Sequence, residues 1–218
     1  MAQLAYRPKP VSDVPPLQAG DRLTREEFER RWELHPEIKK AELIDGLVFT
    51  DVSVSPRHGE PHSALMVWLG SYWATRRQLQ MLDNTTVRMP HEDDLQPDVL
   101  LRRREGGTST LVEDEAIEAP PEFVGEIAAS FASYDMHLKK EAYRRGGVQE
   151  YLVWQVYEQR IDWWSLEGGE YAPLEPDAAG VIESNIFPGL RLNAIALLEG
   201  DLPAVLAALT SPGETQHQ

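Results

Sequence analysis

Apolar positions recur along this chain with two periods, near 3.6 in some stretches and 2 in others, and their alternation predicts helices packed on strands. Thr24-Arg-Glu-Glu27 has the form of a capping box, with the Thr24 hydroxyl able to accept from the Glu27 amide and the Glu27 side chain able to reach back. A helix is predicted from there to about His35, where Pro36 stops it. Ala41 to Val52 reads as a hairpin, because Asp45-Gly46 separates two apolar runs as a type I′ turn requires. Helical spacing of Leu65, Leu69, Tyr72 and Trp73 predicts a helix from Pro61 to about Arg77. Gln80 to Met89 is strand-like, Pro97 to about Leu101 is a short strand, and the polar stretch from Arg102 to about Pro120 reads as a surface excursion.

Phe123 to Ala129 is the next buried strand, and Ser133 or a neighbour caps a helix that runs to Arg145 and ends at Gly146-Gly147. Glu150 to Val156 and Arg160 to Leu166 follow as two strands around a turn near Glu158-Gln159, and Leu202 to Leu209 is a last short helix. The proline-rich residues 1–20 are expected to form an extended arm, residues 21–210 one domain, and residues 211–218 a disordered tail. The fold class is α/β, with helices flanking a mixed central sheet.

The 218 residues suffice for one ordinary domain with a real core, not for two catalytic ones. The absence of cysteine excludes disulfides, thiolate zinc sites and a cysteine nucleophile, and it suits a reducing cytosol. With no secretory signal and no apolar run of membrane-spanning length, a soluble cytoplasmic protein without membrane contact is expected. The net charge of −15 argues against a charge-driven nucleic-acid binder, but it leaves room for a nuclease whose acids are offset by bound metal.

Candidate chemistry lies in three places: Asp98 within Gln-Pro-Asp-Val-Leu-Leu, Glu126 within Glu-Phe-Val-Gly-Glu-Ile, and Lys139 four residues after Asp135. Two strand-borne carboxylates can hold a hard divalent cation, and a nearby lysine can orient water or offset charge on a phosphate. Asp135, Lys139 and Tyr143 share one face of the predicted helix, whereas Lys140 is expected to point to solvent. Asp135 is read first as a favourable charge at the helix N-terminus, and Tyr143 as packing. His58 and His62 have metal-like spacing, but Pro61 lies between them and no third ligand accompanies them. Arg102 to Arg104 is either a solvated strand end or a phosphate-contacting edge. Trp163 and Trp164 cannot share one face of a strand, so one is expected to leave the core and help bury a homodimer interface.

The ordered set Glu42-Leu-Ile-Asp-Gly46, His58, His62, Asp83-Asn84, Gln96-Pro97-Asp98, Glu122-Phe-Val-Gly-Glu126, Lys139, Tyr143 and Gly147 to Trp154 closely resembles the Uma-two family of restriction endonucleases, within the PD-(D/E)XK nuclease superfamily. The resemblance continues through Ile161-Asp-Trp and Ser184 to Leu190, covering roughly residues 22–200. It implies a restriction-endonuclease-like fold, with Asp98, Glu126 and the carbonyl of Ile127 ligating Mg²⁺ or Mn²⁺ and Glu42 assisting. The superfamily lysine would fall at Ala128; the family moves it onto the following helix, at Lys139. Phe131 stands where related sequences often carry a small polar residue. The implied activity is metal-dependent cleavage of DNA phosphodiesters. The alternative is a catalytically inactive nuclease fold kept as a binding or regulatory module, consistent with the net charge of −15.

Overall fold

The structure is a computed structural model describing residues 14–50, 56–112, 116–129 and 134–209. In chain order its first half contains α1 (Arg25–Leu34), β1 (Ala41–Ile44), β2 (Leu47–Thr50), α2 (Pro56–Trp73), β3 (Leu79–Leu82), β4 (Val87–Arg88), β5 (Asp94–Leu95) and β6 (Val99–Arg103). The second half contains β7 (Thr110–Leu111), β8 (Ile117–Glu118), β9 (Phe123–Ala128), α3 (Lys140–Gly146), β10 (Glu150–Gln155), β11 (Arg160–Glu167) and β12 (Glu170–Pro173). Strands β13 (Val181–Glu183) and β14 (Arg191–Asn193) and helices α4 (Ala194–Leu198) and α5 (Leu202–Ala207) complete it. A wider π-helical turn, Tyr134–Lys139, leads into α3. None of the described helices is long and apolar enough to cross a membrane.

Two six-stranded mixed sheets carry the fold. The first runs β12-β11-β10-β9-β6-β3, with β9 and β10 parallel, and the second runs β2-β1-β5-β4-β8-β7. In β9 and β6 the side chains alternate: Phe123, Ile127, Val99 and Leu101 meet Leu65, Trp68 and Leu69 of α2. Val124, Ala128 and Leu100 face the opposite way, toward Ile44, Val87, Leu95 and Tyr143. Period-two alternation puts Asp98 and Glu126 on this second face, between the two sheets. Helix α2 lies close to the first sheet because Gly125 lacks a side chain there; a Cβ would stand 2.9 Å from Val99 Cγ1 and 3.2 Å from Leu65 Cδ2.

The predicted hairpin is present: Ile44 pairs with Leu47, and both turn residues have positive φ, 50° at Asp45 and 72° at Gly46, as type I′ requires. Thr24 caps α1 through its hydroxyl, 3.4 Å from the Glu27 amide. The Glu27 carboxylate is taken by Arg30 and Arg31, at 2.7 Å each, and those pairs hold its pKa down at about 2. Helix α2 already starts at Pro56, and Pro61 is buried within it. Val14 to Gly20, the described part of the expected arm, put Leu17 into a small core with Phe28, Leu43 and Val48. The rest of that arm, the residue 211–218 tail, Phe131 and the Ser133 cap lie outside the described residues.

Three expectations are corrected. The stretch from Arg102 to Pro120 is not simply a surface excursion, since it supplies β7 and β8 and buries Ser109, Ala116 and Ile117. Arg102 is itself buried, donating to Gln80 Oε1 and to both Ser109 Oγ and its carbonyl, so it has no free edge for a phosphate. Arg103 and Arg104 are bonded to the carbonyls of Ile186 and Leu79. These arginines close the end of β6 remote from Asp98, roughly 15 Å away at about 3.3 Å per residue.

The tryptophan pair does point two ways, yet both indoles are buried within one chain. Trp163 is 1% exposed among Trp68 and Phe123, and Trp164 is 7% exposed and stacked on Tyr151. Tyr151 and Lys140 cover the second indole, which removes the exposed tryptophan as a reason to expect a homodimer.

Candidate active site

Asp98 sits immediately before β6, and Glu126 lies within β9. These strands are antiparallel neighbours, with Val99 opposite Gly125. Both carboxylates therefore rise from one face at one end of the first sheet, and backbone amides hold them. Asp98 Oδ2 accepts from Ile127 N at 2.8 Å, and Asp98 N points at Glu126 Oε2 at 3.4 Å. The second sheet supplies Glu42, whose Oε1 accepts from the Gln96 amide at 2.7 Å.

Lys139, at the end of the π-helical turn, closes the group. Its Nζ lies 2.7 Å from Glu126 Oε1 and 3.0 Å from Glu42 Oε1, so one ammonium joins the two sheets. One α-helical turn later, Tyr143 donates to the same Glu126 oxygen at 2.9 Å. Burial, aided by the Glu126 charge, pushes the Tyr143 phenol well above its usual pKa and keeps it a hydrogen-bond donor. The turn Tyr134–Lys139 is π-helical, and α-helical spacing from Lys139 sets Tyr143 one turn further on. Side-chain geometry at Asp135 lies outside the described residues.

Asp98 Oδ1 faces a different set of partners. Lys40 Nζ lies 3.6 Å from it and His58 Nε2 3.5 Å from it. Burial alone would raise the Asp98 pKa, but Lys40, then Lys139, His58 and the Ile127 amide outweigh it, so the carboxyl lies below its usual range. His58 is also hydrogen-bonded to the Ile127 carbonyl, and burial holds its imidazole below its ordinary pKa. His62, stacked on His58 with ring centroids 5.8 Å apart, reaches the Asp98 carbonyl at 3.1 Å.

The structure thus brings together Glu42, Asp98, Glu126 and Lys139, with the Ile127 carbonyl at their edge. It adds Lys40, Tyr143 and His58, which sequence reasoning left outside the chemistry. Lys40 had a readable signal, because it stands two residues before Glu42 and strand alternation sends both the same way. Lys140 does not reach freely into solvent as expected; its Nζ lies 3.5 Å from the ring centroid of Trp164, a cation–π contact, and burial lowers its pKa.

The donor set fits a hard divalent cation. Three buried carboxylates offer oxygen only, and two of them stand on neighbouring strands. Among the described residues no three acids or histidines converge as a ready-made metal cluster. Magnesium does not require one, since it commonly keeps several waters and takes one or two carboxylates.

The sequence profile of the Uma2 family, described as putative restriction endonuclease, matches residues 25–195, a span that includes every residue of this centre. A solved structure, described as a putative nuclease belonging to DUF820 from Anabaena variabilis ATCC 29413, is similar with a TM-score of 0.62 and 18% identity. The match covers 81% of this chain and 98% of that one, and at that identity it speaks for the fold. No curated protein matches the chain.

Proposed function

The chain belongs to the Uma2 family, and from that premise we propose that it is a metal-dependent endonuclease that hydrolyses phosphodiester bonds in DNA. The observation that supports this reading is the pairing of Asp98 and Glu126 on adjacent strands, with Lys139 tied to Glu126 and to Glu42. Asp98, Glu126 and the Ile127 carbonyl would hold Mg²⁺ or Mn²⁺, with Glu42 assisting through Lys139. A cation bound there supplies Lewis acidity and a more acidic water.

The chain's own groups set the geometry. Tyr143 and Lys139 fix Glu126 from one side, and the Ile127 amide fixes Asp98 from the other. Strand β9 carries Glu126 and the Ile127 amide holds Asp98 at the start of β6, so neither carboxylate has to be ordered when substrate arrives. Lys139 offsets charge among the three acids and limits their repulsion of a phosphate.

The test is a titration with Mn²⁺ alongside cleavage of plasmid DNA, comparing wild type with Asp98→Asn. The reading expects manganese-dependent cleavage by wild type and an affinity loss of roughly 100-fold or more in the variant, since even outer-shell changes cost 10–100-fold. A second reading, a nuclease fold retained for binding or regulation without turnover, draws on the internal neutralisation of the acids by lysine and on the net charge of −15. Wild type that neither binds Mn²⁺ nor cuts DNA or RNA would favour it.

A further inference from the structure

Two lysines stand at these carboxylates, and their surroundings differ. Lys139 is sealed in, its side chain 3% exposed, with its ammonium between Glu126 and Glu42. Reaching a phosphate would require it to break both ion pairs and leave two buried carboxylates behind. Lys40 lies at the mouth, its side chain 33% exposed, on the chain just ahead of β1 and in register with Glu42.

Lys40 is not locked to its acid. At 3.6 Å its contact with Asp98 Oδ1 is longer than a hydrogen bond, and the hydrogen bond it does make goes to Asn84 Oδ1 at 3.3 Å. Asp98 does not need this contact for its placement, because it already receives the Ile127 amide through its other oxygen. What Lys40 does provide is a positive charge on a flexible stem, beside Asp98 Oδ1, the oxygen not taken by the Ile127 amide. A phosphodiester entering this centre approaches buried carboxylates, and Lys40 is a partly exposed cation 3.6 Å from Asp98 Oδ1.

We propose that Lys40 is a further catalytic residue, its ammonium contacting the non-bridging oxygens of the scissile phosphate, while Lys139 acts as a positioning residue for Glu126. The inference rests on the nuclease reading above. In the hydrolysis, a water oxygen bonds to phosphorus as one ester P–O bond breaks; the water loses a proton and the departing oxygen gains one. Lys40 makes and breaks no covalent bond. It offsets the charge that builds on the phosphate oxygens.

The test follows binding of a short fluorescent DNA duplex across a range of salt concentrations, in Mn²⁺ at low temperature, together with cleavage and Mn²⁺ titration. Wild type, Lys40→Gln, Lys40→Arg and Lys39→Gln are compared, the last being an exposed neighbour bonded to the Pro36 carbonyl. Circular dichroism confirms that each is folded. Loss of one phosphate contact lowers the slope of log K against log salt by about 1. Lys40→Gln is expected to show that drop, to lose roughly 100-fold in turnover and to bind Mn²⁺ at least as well as wild type. Lys40→Arg should keep the slope, and Lys39→Gln should match wild type throughout. If wild type cleaves while Lys40→Gln retains its slope and turnover, the Lys40 assignment alone is overturned. If wild type binds DNA with a Lys40-dependent slope yet never cleaves, the nuclease reading falls and the catalytic role of Lys40 falls with it.

Discussion

Tyr143 donates to Glu126 Oε1 at 2.9 Å, sharing that single oxygen with the Lys139 ammonium at 2.7 Å. The phenol is fully buried, and its removal leaves a carboxylate with one donor fewer in a low-dielectric setting. Tyr143→Phe keeps the packing against Tyr151 and is expected to cost about 1–3 kcal/mol in urea unfolding. Cleavage should fall in the same variant, because Glu126 loses the Tyr143 restraint.

Lys139 carries more. Removing one partner from a buried ion pair typically costs about 3–5 kcal/mol, because the remaining charge is left uncompensated. Lys139→Met should fall in that range. Adding Glu42→Gln should recover part of the loss, since one of the two stranded charges is then gone. A double-mutant cycle measures the coupling, and additivity of the two changes would contradict the shared ion pair.

Arg145 fastens the helix that carries Tyr143 to the second sheet, pairing with Asp45 at 2.7 Å and with the buried Asp93 at 2.8 Å. Asp93 also caps the Asp45 amide at 2.8 Å. Arg145→Ala is expected to destabilise by about 2–4 kcal/mol, near the buried-pair range because Asp93 loses its cation. The change should also loosen the Lys139–Glu42 contact, so Mn²⁺ affinity is a second measurement to make on this variant.

Gly125→Ala tests the close approach of α2. The added Cβ meets Val99 and Leu65 below normal contact distance, and overpacking of this kind costs about 1–3 kcal/mol. The helix that must yield also carries His58 and His62, so the chemical shifts of both imidazoles should move in the variant.

Glu150 contributes a pH dependence to stability. It is fully buried, and burial pushes its carboxyl up to about 7 despite hydrogen bonds from Ser184, Asn185 and Ile186. The folded protein therefore retains a proton that the unfolded chain, with its ordinary value near 4.5, releases. The resulting stabilisation is full below about 4.5 and is lost as pH rises through 7. Melting temperatures taken across that window should decline toward neutral pH in wild type, and Glu150→Gln should make the decline shallower, with the raised carboxyl of Asp94 supplying slope of the same sign.

Local pattern made much of this readable. The Asp45-Gly46 turn requires positive φ, and strand alternation sets the side of the sheet on which Asp98 and Glu126 stand. Lys139 was readable only through the family register, because a lysine in a polar helix carries no local mark of burial. Lys40, His58 and the buried Arg102 escaped for a related reason: each is defined by a partner far along the chain, at Asp98, at Ile127 and at Gln80 respectively. Trp164 misled because alternation gives direction but cannot say that the Lys140 side chain lies over the outward indole. The short strands β7, β8, β13 and β14 lack the length over which a period can be counted.

The ion pairs of Lys139 also bear on how the centre comes into being. Its partners come from residues 42 and 126, and the strand that carries Glu126 has β10, at residues 150–155, as its parallel neighbour. Contacts so distant in sequence are costly in loop-closure entropy and form late in folding. During synthesis, an emerging chain that already displays Glu42 and Asp98 still lacks the lysine that joins the sheets. The centre is assembled only when most of the polypeptide has left the ribosome and both sheets have closed on it.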